Sequence, residues 1–299
     1  MAEPFKIKNQ AAFQYARAVI DNYTKSFAAA SHLLPRPRRW AVYALYGFCR
    51  YAYNLIDKPR MRTIDETLSE IESLKQEVMI AYRTGDSEHP VMMSYIEVAS
   101  HFKIPLEYPL DFLKGVTMEA EQRRYETYED LYLYCYRMAG IVGLMMAYVL
   151  GFKSKAALPY AEKLGVAMHL TNILRDIRED YKSGRIYLPL TEMRKTGVTE
   201  EMLARQMMND SVKSLMERMV QRVHRLYDQA EPGIALLESE SRHAIACASR
   251  IYRNILYKIE ACHYDPFHHH AETSRVEKLN IILREWFVIH IKSKHTENK

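Results

Sequence analysis

Glycine and proline are scarce, 10 and 11 among 299 residues. Long periodic segments rich in Leu, Met, Ala, Tyr and Glu fill the space between them, which favours helices over strands. Cysteine is sparse as well. Cys49, Cys135, Cys247 and Cys262 form no CxxC pair, so each reads as a small buried apolar residue and not as a metal ligand or disulfide partner. Such cysteines suit a reducing cytoplasm. No long Lys/Arg block occurs and the formal charge is only +5, which gives nucleic-acid binding little support. A mild positive balance suits an anionic small molecule or a membrane surface equally well. The opening MAEPFKIKNQ carries no apolar signal segment. The longest nearly uncharged apolar run, Met138 to Phe152, is shorter than the about 20 residues of a bilayer span. It is expected to be a buried core helix, and the protein to be soluble and cytoplasmic.

What is present is helix after helix. Periodicity and turn signals place helices at 9–31, 38–57, 63–84, 90–101, 106–122, 128–151, 154–182, 199–230, 233–238, 241–262 and 273–293. Short breakers separate them, such as Leu34-Pro35-Arg36-Pro37 and Thr84-Gly85-Asp86. No flexible linker, internal repeat or low-complexity tract appears, so one all-α domain over 1–299 is expected.

Residues 171–180 read TNILRDIRED, which spaces Asn172, Asp176 and Asp180 four apart. Helical residues four apart share a face. Two carboxylates and a carboxamide there supply the hard oxygen donors that magnesium takes when it also binds substrate phosphates. Arg175 lies beside them as a partner for phosphate oxygens. Acid- and base-rich turns of this kind are usually solvated faces with local ion pairs. The following Gly184-Arg185-Ile186-Tyr187-Leu188-Pro189 argues for more. Gly184 is a natural helix stop, and Arg185 could reach a diphosphate from a flexible segment.

Tyrosine is abundant at 22 and methionine reaches 16. The run YLYCYRMAGIVGLMMAY at 132–148 mixes them with small residues, a composition that most often simply fills a core. Its functional alternative is a greasy tunnel in which Gly140 and Gly143 leave room for an alkyl chain. A tunnel capped by a magnesium site implies an amphiphilic phosphate ester, and a prenyl diphosphate fits.

These segments resemble the squalene/phytoene synthase family, the head-to-head isoprenoid synthases. The likeness runs through Tyr23-Thr24-Lys25-Ser26-Phe27, Cys49-Arg50, Tyr134-Cys135-Tyr136-Arg137-Met138-Ala139-Gly140, the TNILRDIRED–GRIYLP block, and Ile251-Tyr252-Arg253-Asn254-Ile255-Leu256. The resemblance implies an all-α isoprenoid-synthase fold with a central hydrophobic cavity. Two aspartate-rich helices would face each other across it, with magnesium between them and the substrate diphosphates. Asn172, Asp176 and Asp180 would form the second of these motifs. Ser26, Tyr46, Arg50, Tyr134, Arg175 and Tyr252 would line the diphosphate pocket or its approach. His169 stands where the family often has Gln, and is expected to be a hydrogen-bonded side chain lining the site. His268-His269-His270 is expected in a surface loop.

The first motif departs from the family's Asp-Asp-x-x-Asp. Here Cys49-Arg50 is followed by Tyr51-Ala52-Tyr53-Asn54-Leu55-Ile56-Asp57, so Tyr53 and Asn54 replace two aspartates and only Asp57 remains. A protonated phenol is a poor magnesium ligand and a carboxamide brings no charge. With one wall depleted, a second substrate is expected to be poorly placed, and water to trap the allylic cation formed when one diphosphate leaves. The favoured expectation is therefore magnesium-dependent hydrolysis of a prenyl diphosphate, farnesyl diphosphate to farnesol being the simplest case. Asp176, Asp180, Arg175 and Tyr134 would act in catalysis. Ser26, Tyr46, Arg50, Tyr53, His169, Arg185, Tyr187 and Tyr252 would hold substrate, and Asn172, Asp176, Asp180 and Asp57 the metal. Head-to-head condensation is the alternative, and a non-catalytic prenyl-lipid binder the third reading. No GxGxxG follows a strand, so a reductive step with NADPH has no support. No protein partner is evident. The one macromolecular contact considered is a transient membrane-surface contact for product release, and packing inside the protein is preferred for the apolar Leu283–Ile291 stretch.

Overall fold

Breakers and caps divide the chain where the sequence places them. In this computed structural model the described residues are 5–23, 30–57 and 62–296, without the side chains of 19–23, 57 and 289–296. Helix α1 covers Gln10–Tyr23 and α2 Arg36–Asp57. Helix α3 (Ile64–Thr84) starts with a reciprocal capping box between Thr63 and Glu66 and stops at Gly85, whose φ of 76° suits a residue without Cβ. Helix α4 (Pro90–Phe102) has its proline at the first turn, where no N–H is needed. Helix α5 spans Glu107–Glu121.

The longest apolar element is a rod from Tyr128 to Leu150. It comprises α6 (Tyr128–Cys135), one π turn (Tyr136–Gly140) and α7 (Ile141–Leu150). In the π turn the Ile141 N–H reaches back five residues to the Tyr136 carbonyl. By length and composition alone this rod could cross a bilayer, but most of it is buried inside the protein. It is a core helix.

Helix α8 (Leu158–Arg175) lies at the centre and packs against α7, α12 (Asp210–Ala230) and α13 (Ser239–Ala261). Its approach to α7 and to the π turn depends on two glycines. A Cβ at Gly143 would meet the Ala161 carbonyl oxygen at 2.3 Å, and one at Gly165 the Ala139 carbonyl oxygen at 2.1 Å. Three short helices surround the end of α8: α9 (Ile177–Lys182), α10 (Leu190–Thr196) and α11 (Glu200–Ala204). Helix α14 (Arg275–Thr296) closes the chain on the outer side of α13. Beside the helices, the described residues contain only two isolated β-bridges, Arg124 with Ile186 and Phe152 with Leu237. One buried apolar cluster runs from Phe5 to Ala271, so the all-α, single-domain expectation holds.

Two expected helices divide, and one short helix is new. The 154–182 helix breaks at Asp176, whose φ of −105° and ψ of 15° end α8 and begin α9. The 199–230 helix splits into α11 and α12, because Asn209 caps α12 by accepting from the Val212 N–H. Helix α10 was not anticipated, since seven residues carry too little periodicity to show.

Candidate functional site

A cavity of about 430 Å³ opens between α2, the π turn, α7, α8 and α13. Its walls are mostly apolar: Leu34, Val42, Phe112, Met138, Val142, Met146, Leu164, Met168 and Ile245 among them. Polar side chains enter from Tyr46, Arg50, Tyr53, His169, Asn172 and Tyr252. An apolar chamber with a few polar groups suits a ligand with a long hydrocarbon and one polar group.

Helix α8 supplies the polar corner. His169 Nε2 and Asn172 Oδ1 are buried and have no hydrogen-bond partner among the described residues. Burial pushes the His169 imidazolium down to about 4, against the pull of Asp176, so the ring is neutral near pH 7. Its face lies 5.5 Å from the Tyr134 ring.

The break at Asp176 does not disperse the acidic row. Asp176 N–H donates to Asn172 O at 2.9 Å and Asp180 N–H to Asp176 O at 2.8 Å, so the i, i+4 relation survives the kink. Arg175 grips the Asp176 carboxylate with two donors, Nε to Oδ1 at 2.6 Å and Nη2 to Oδ2 at 2.5 Å. Asp180 is pushed up to about 7 by burial and by the carboxylates of Asp176 and Glu119, with Arg185 opposing.

Glu119, on α5, was not singled out in the sequence. It is fully buried. The Tyr134 hydroxyl donates to its Oε2 at 2.6 Å, and the Tyr187 hydroxyl lies 2.8 and 2.9 Å from its two oxygens. Arg185 Nε sits 2.7 Å from Oε1, an ion pair whose angle is too poor for a hydrogen bond. Tyr134 and Tyr187 stack at 5.5 Å, and burial pushes both phenols far up, so they stay protonated donors. One carboxylate thus organises three expected site residues. Glu119 is one of three glutamates in 107–121, and nothing in their spacing singled it out.

Several expected positions therefore change. Tyr134 does not line the large cavity. It is held beneath the polar corner by Glu119. Arg185 is not on a flexible arm, because its segment is pinned by Arg185 N–H to Asp180 O and Ile186 N–H to Arg123 O, both backbone bonds. With Asp180 and Tyr187 it lines a small cleft apart from the main chamber. Gly143 lines the chamber, but Gly140 does not. A Cβ there would meet Tyr136, Val166 and Glu162. The glycines serve close helix packing at least as much as ligand space.

On the opposite wall, Tyr53 faces the chamber with the Arg50 guanidinium 5.4 Å above its ring. The neighbouring Asn54 Oδ1 is buried without a partner among the described residues. Ser26 and the Asp57 side chain lie outside the described residues. In the histidine run, His268 bonds to Asp265 at 2.9 Å and is exposed. His270 is exposed too, with a ring nitrogen within 4.8 Å of carboxylate oxygens of Asp176 and Glu179.

The residues present fit a hard divalent cation. Asn172 Oδ1 is an orphaned buried acceptor, and Asp176 and Asp180 follow it at i+4 and i+8 as carboxylate oxygen donors.

Comparison with known proteins agrees with this geometry. The family model described as squalene/phytoene synthase matches residues 20–278. Phytoene synthase 2, chloroplastic, of Zea mays is 35% identical over 274 residues, covering 90% of this chain and 67% of that protein. The 15-cis-phytoene synthase of Pantoea ananas is 34% identical over 269 residues, 87% of this chain and 86% of that one. A crystal structure of a dehydrosqualene synthase in complex with ligand superposes with a TM-score of 0.86 at 32% identity, covering 95% of this chain and 98% of that one. Sequence, helical architecture and the acidic corner on α8 thus lead to one assignment: the chain belongs to the squalene/phytoene synthase family.

Proposed function

We propose that this protein is a prenyltransferase that condenses two prenyl diphosphates head to head. The observation that carries the reading is an apolar chamber of about 430 Å³ whose few polar side chains include His169 and Asn172 of α8, Arg50 of α2 and Tyr252 of α13. Relatives named phytoene synthases, 34–35% identical over about nine-tenths of the chain, support it.

Asn172, Asp176 and Asp180 would hold magnesium, which when bound neutralises the diphosphate leaving group. Arg175 and Arg50 bring fixed positive charge toward the same oxygens. The chamber walls exclude water and align the hydrocarbon chains, and alignment is the main requirement for joining two substrates. Joining the two chains releases both diphosphates, and each departure is balanced by loss of one proton from the coupled chain, so the doubled hydrocarbon forms without a nicotinamide.

Hydrolysis to a prenyl alcohol is the second reading. Tyr53 in the first motif favours it, together with His169 Nε2 and Asn172 Oδ1, two unpartnered polar atoms on the chamber wall that could seat a water. Both readings place the enzyme where its four unpaired cysteines belong, a reducing compartment.

One assay separates them. Purified protein is incubated with farnesyl or geranylgeranyl diphosphate and magnesium, and the lipids are resolved. A hydrocarbon with twice the substrate's carbons supports condensation. A prenyl alcohol supports hydrolysis, and oxygen-18 from labelled water in that alcohol marks carbon–oxygen cleavage. Unchanged substrate removes both.

A further inference from the structure

Helix α14 turns its apolar residues outward. Val276, Leu279, Leu283, Trp286 and Phe287 are 43–68% exposed. At about 100° per residue they fall within an arc of about 100°. The opposite side is fastened to α13: Glu277 pairs with Lys258, Glu285 Oε1 lies 3.5 Å from Arg250, and His243 Nε2 lies 3.3 Å from the Ile282 carbonyl. Both acids of the described part of the helix are thus turned toward the protein. Exposed Arg275 and Arg284 flank the apolar stripe on its two sides. Soluble proteins rarely leave this much contiguous apolar surface uncovered.

We infer that α14 is an interfacial helix that docks the protein on an anionic lipid surface. An apolar stripe bordered by arginines matches the acyl boundary and the negative headgroups of one leaflet. A second copy of the chain fits less well, because stacking two such stripes brings four arginines together. Helix α13 carries Ala244, Ile245 and Ala248 of the chamber wall and lies directly beneath α14. Docking therefore sets the chamber one helix away from the bilayer. This inference does not depend on which reaction the chamber hosts.

The test uses the full chain and extruded vesicles of phosphatidylcholine with or without phosphatidylglycerol, in the absence of substrate. Wild-type protein co-sediments with the anionic vesicles and is released by salt. Leu283→Glu with Phe287→Glu lowers the bound fraction at least about tenfold. Arg275→Glu with Arg284→Glu does so on anionic vesicles alone, again by about tenfold or more. Trp40→Phe leaves Trp286 as the sole indole, and its emission shifts to the blue on anionic vesicles. The inference is overturned if wild type ignores both vesicle types, or if both double variants bind as wild type does. It is overturned equally if the wild type is a dimer that Leu283→Glu/Phe287→Glu disperses while no vesicle is bound.

Discussion

At the scale of single residues, Glu119 is the centre of the polar corner. Its carboxylate, fully buried, holds two phenols and a guanidinium. Glu119→Gln keeps the shape but removes the charge facing Arg185. It should cut turnover by about 10- to 100-fold with a smaller change in KM, measured by steady-state kinetics on a prenyl diphosphate. Asp180 gives a pH-dependent signature. Its carboxyl is raised to about 7, above its unfolded value. The folded protein therefore holds that proton more tightly, and this group's stabilising contribution is lost as pH rises through about 7. A divalent cation needs the ionised form and removes the repulsion. Magnesium should consequently raise the melting temperature more at pH 8 than at pH 6, and an equal rise at both would remove Asp180 from the metal site. His169 behaves oppositely. Held near 4, it should show no imidazole titration between pH 5.5 and 8 by NMR. The acidic row was legible in the sequence because helical spacing alone aligns it. Glu119 was not, since its role arises from three distant segments meeting at one side chain.

At the scale of elements, the packing of α8 on α7 and the π turn is set by Gly143 and Gly165. Gly165→Ala would drive a methyl group into the Ala139 carbonyl, and backbone cannot step aside as a flexible side chain does. The expected loss is about 3 kcal/mol, read by urea denaturation; a loss under about 1 kcal/mol would show that the two helices can separate freely. Caps such as Thr63 with Glu66 were readable from sequence because each is a local pattern. The break at Asp176 was not. It follows from Arg175 and Asp176 clasping each other at the end of α8, next to a loop anchored on residues 123–126. Helix α14 was misread for a different reason. Packing inside the protein was preferred for Leu283–Ile291, yet Leu283, Trp286, Phe287 and Val288 are exposed and the side chains from 289 on lie outside the described residues; a sequence pattern reports that a stripe exists but not which side the neighbouring helix occupies.

At the scale of the whole molecule, a single apolar cluster links α1 through α13 and surrounds the chamber. Near-ultraviolet and far-ultraviolet unfolding curves should therefore coincide, and separated transitions would mean that the two ends of the cluster unfold independently. The all-α class was legible from the shortage of glycine and proline together with periodicity. The reaction was harder to read. Tyr53 and Asn54 suggested a crippled acidic wall, but the loss of two carboxylates from one motif does not by itself decide whether water or a second chain traps the cation. Restoring Tyr53→Asp and Asn54→Asp together tests how far those positions limit coupling. If they do, the doubled hydrocarbon should rise severalfold relative to any alcohol, read from the same lipid chromatogram.

The π turn at Tyr136–Gly140 works as a phase adjuster. One residue more than an α-helix needs is spent there, so the segment before it and the segment after it are indexed independently: Tyr134 is keyed to Glu119, while Val142 and Met146 are keyed to the chamber. Removing a single residue from that turn would twist one segment about 100° against the other. Either the tyrosine would leave its carboxylate or the methionine would leave the hydrocarbon's path, although every side chain on both segments would be unchanged.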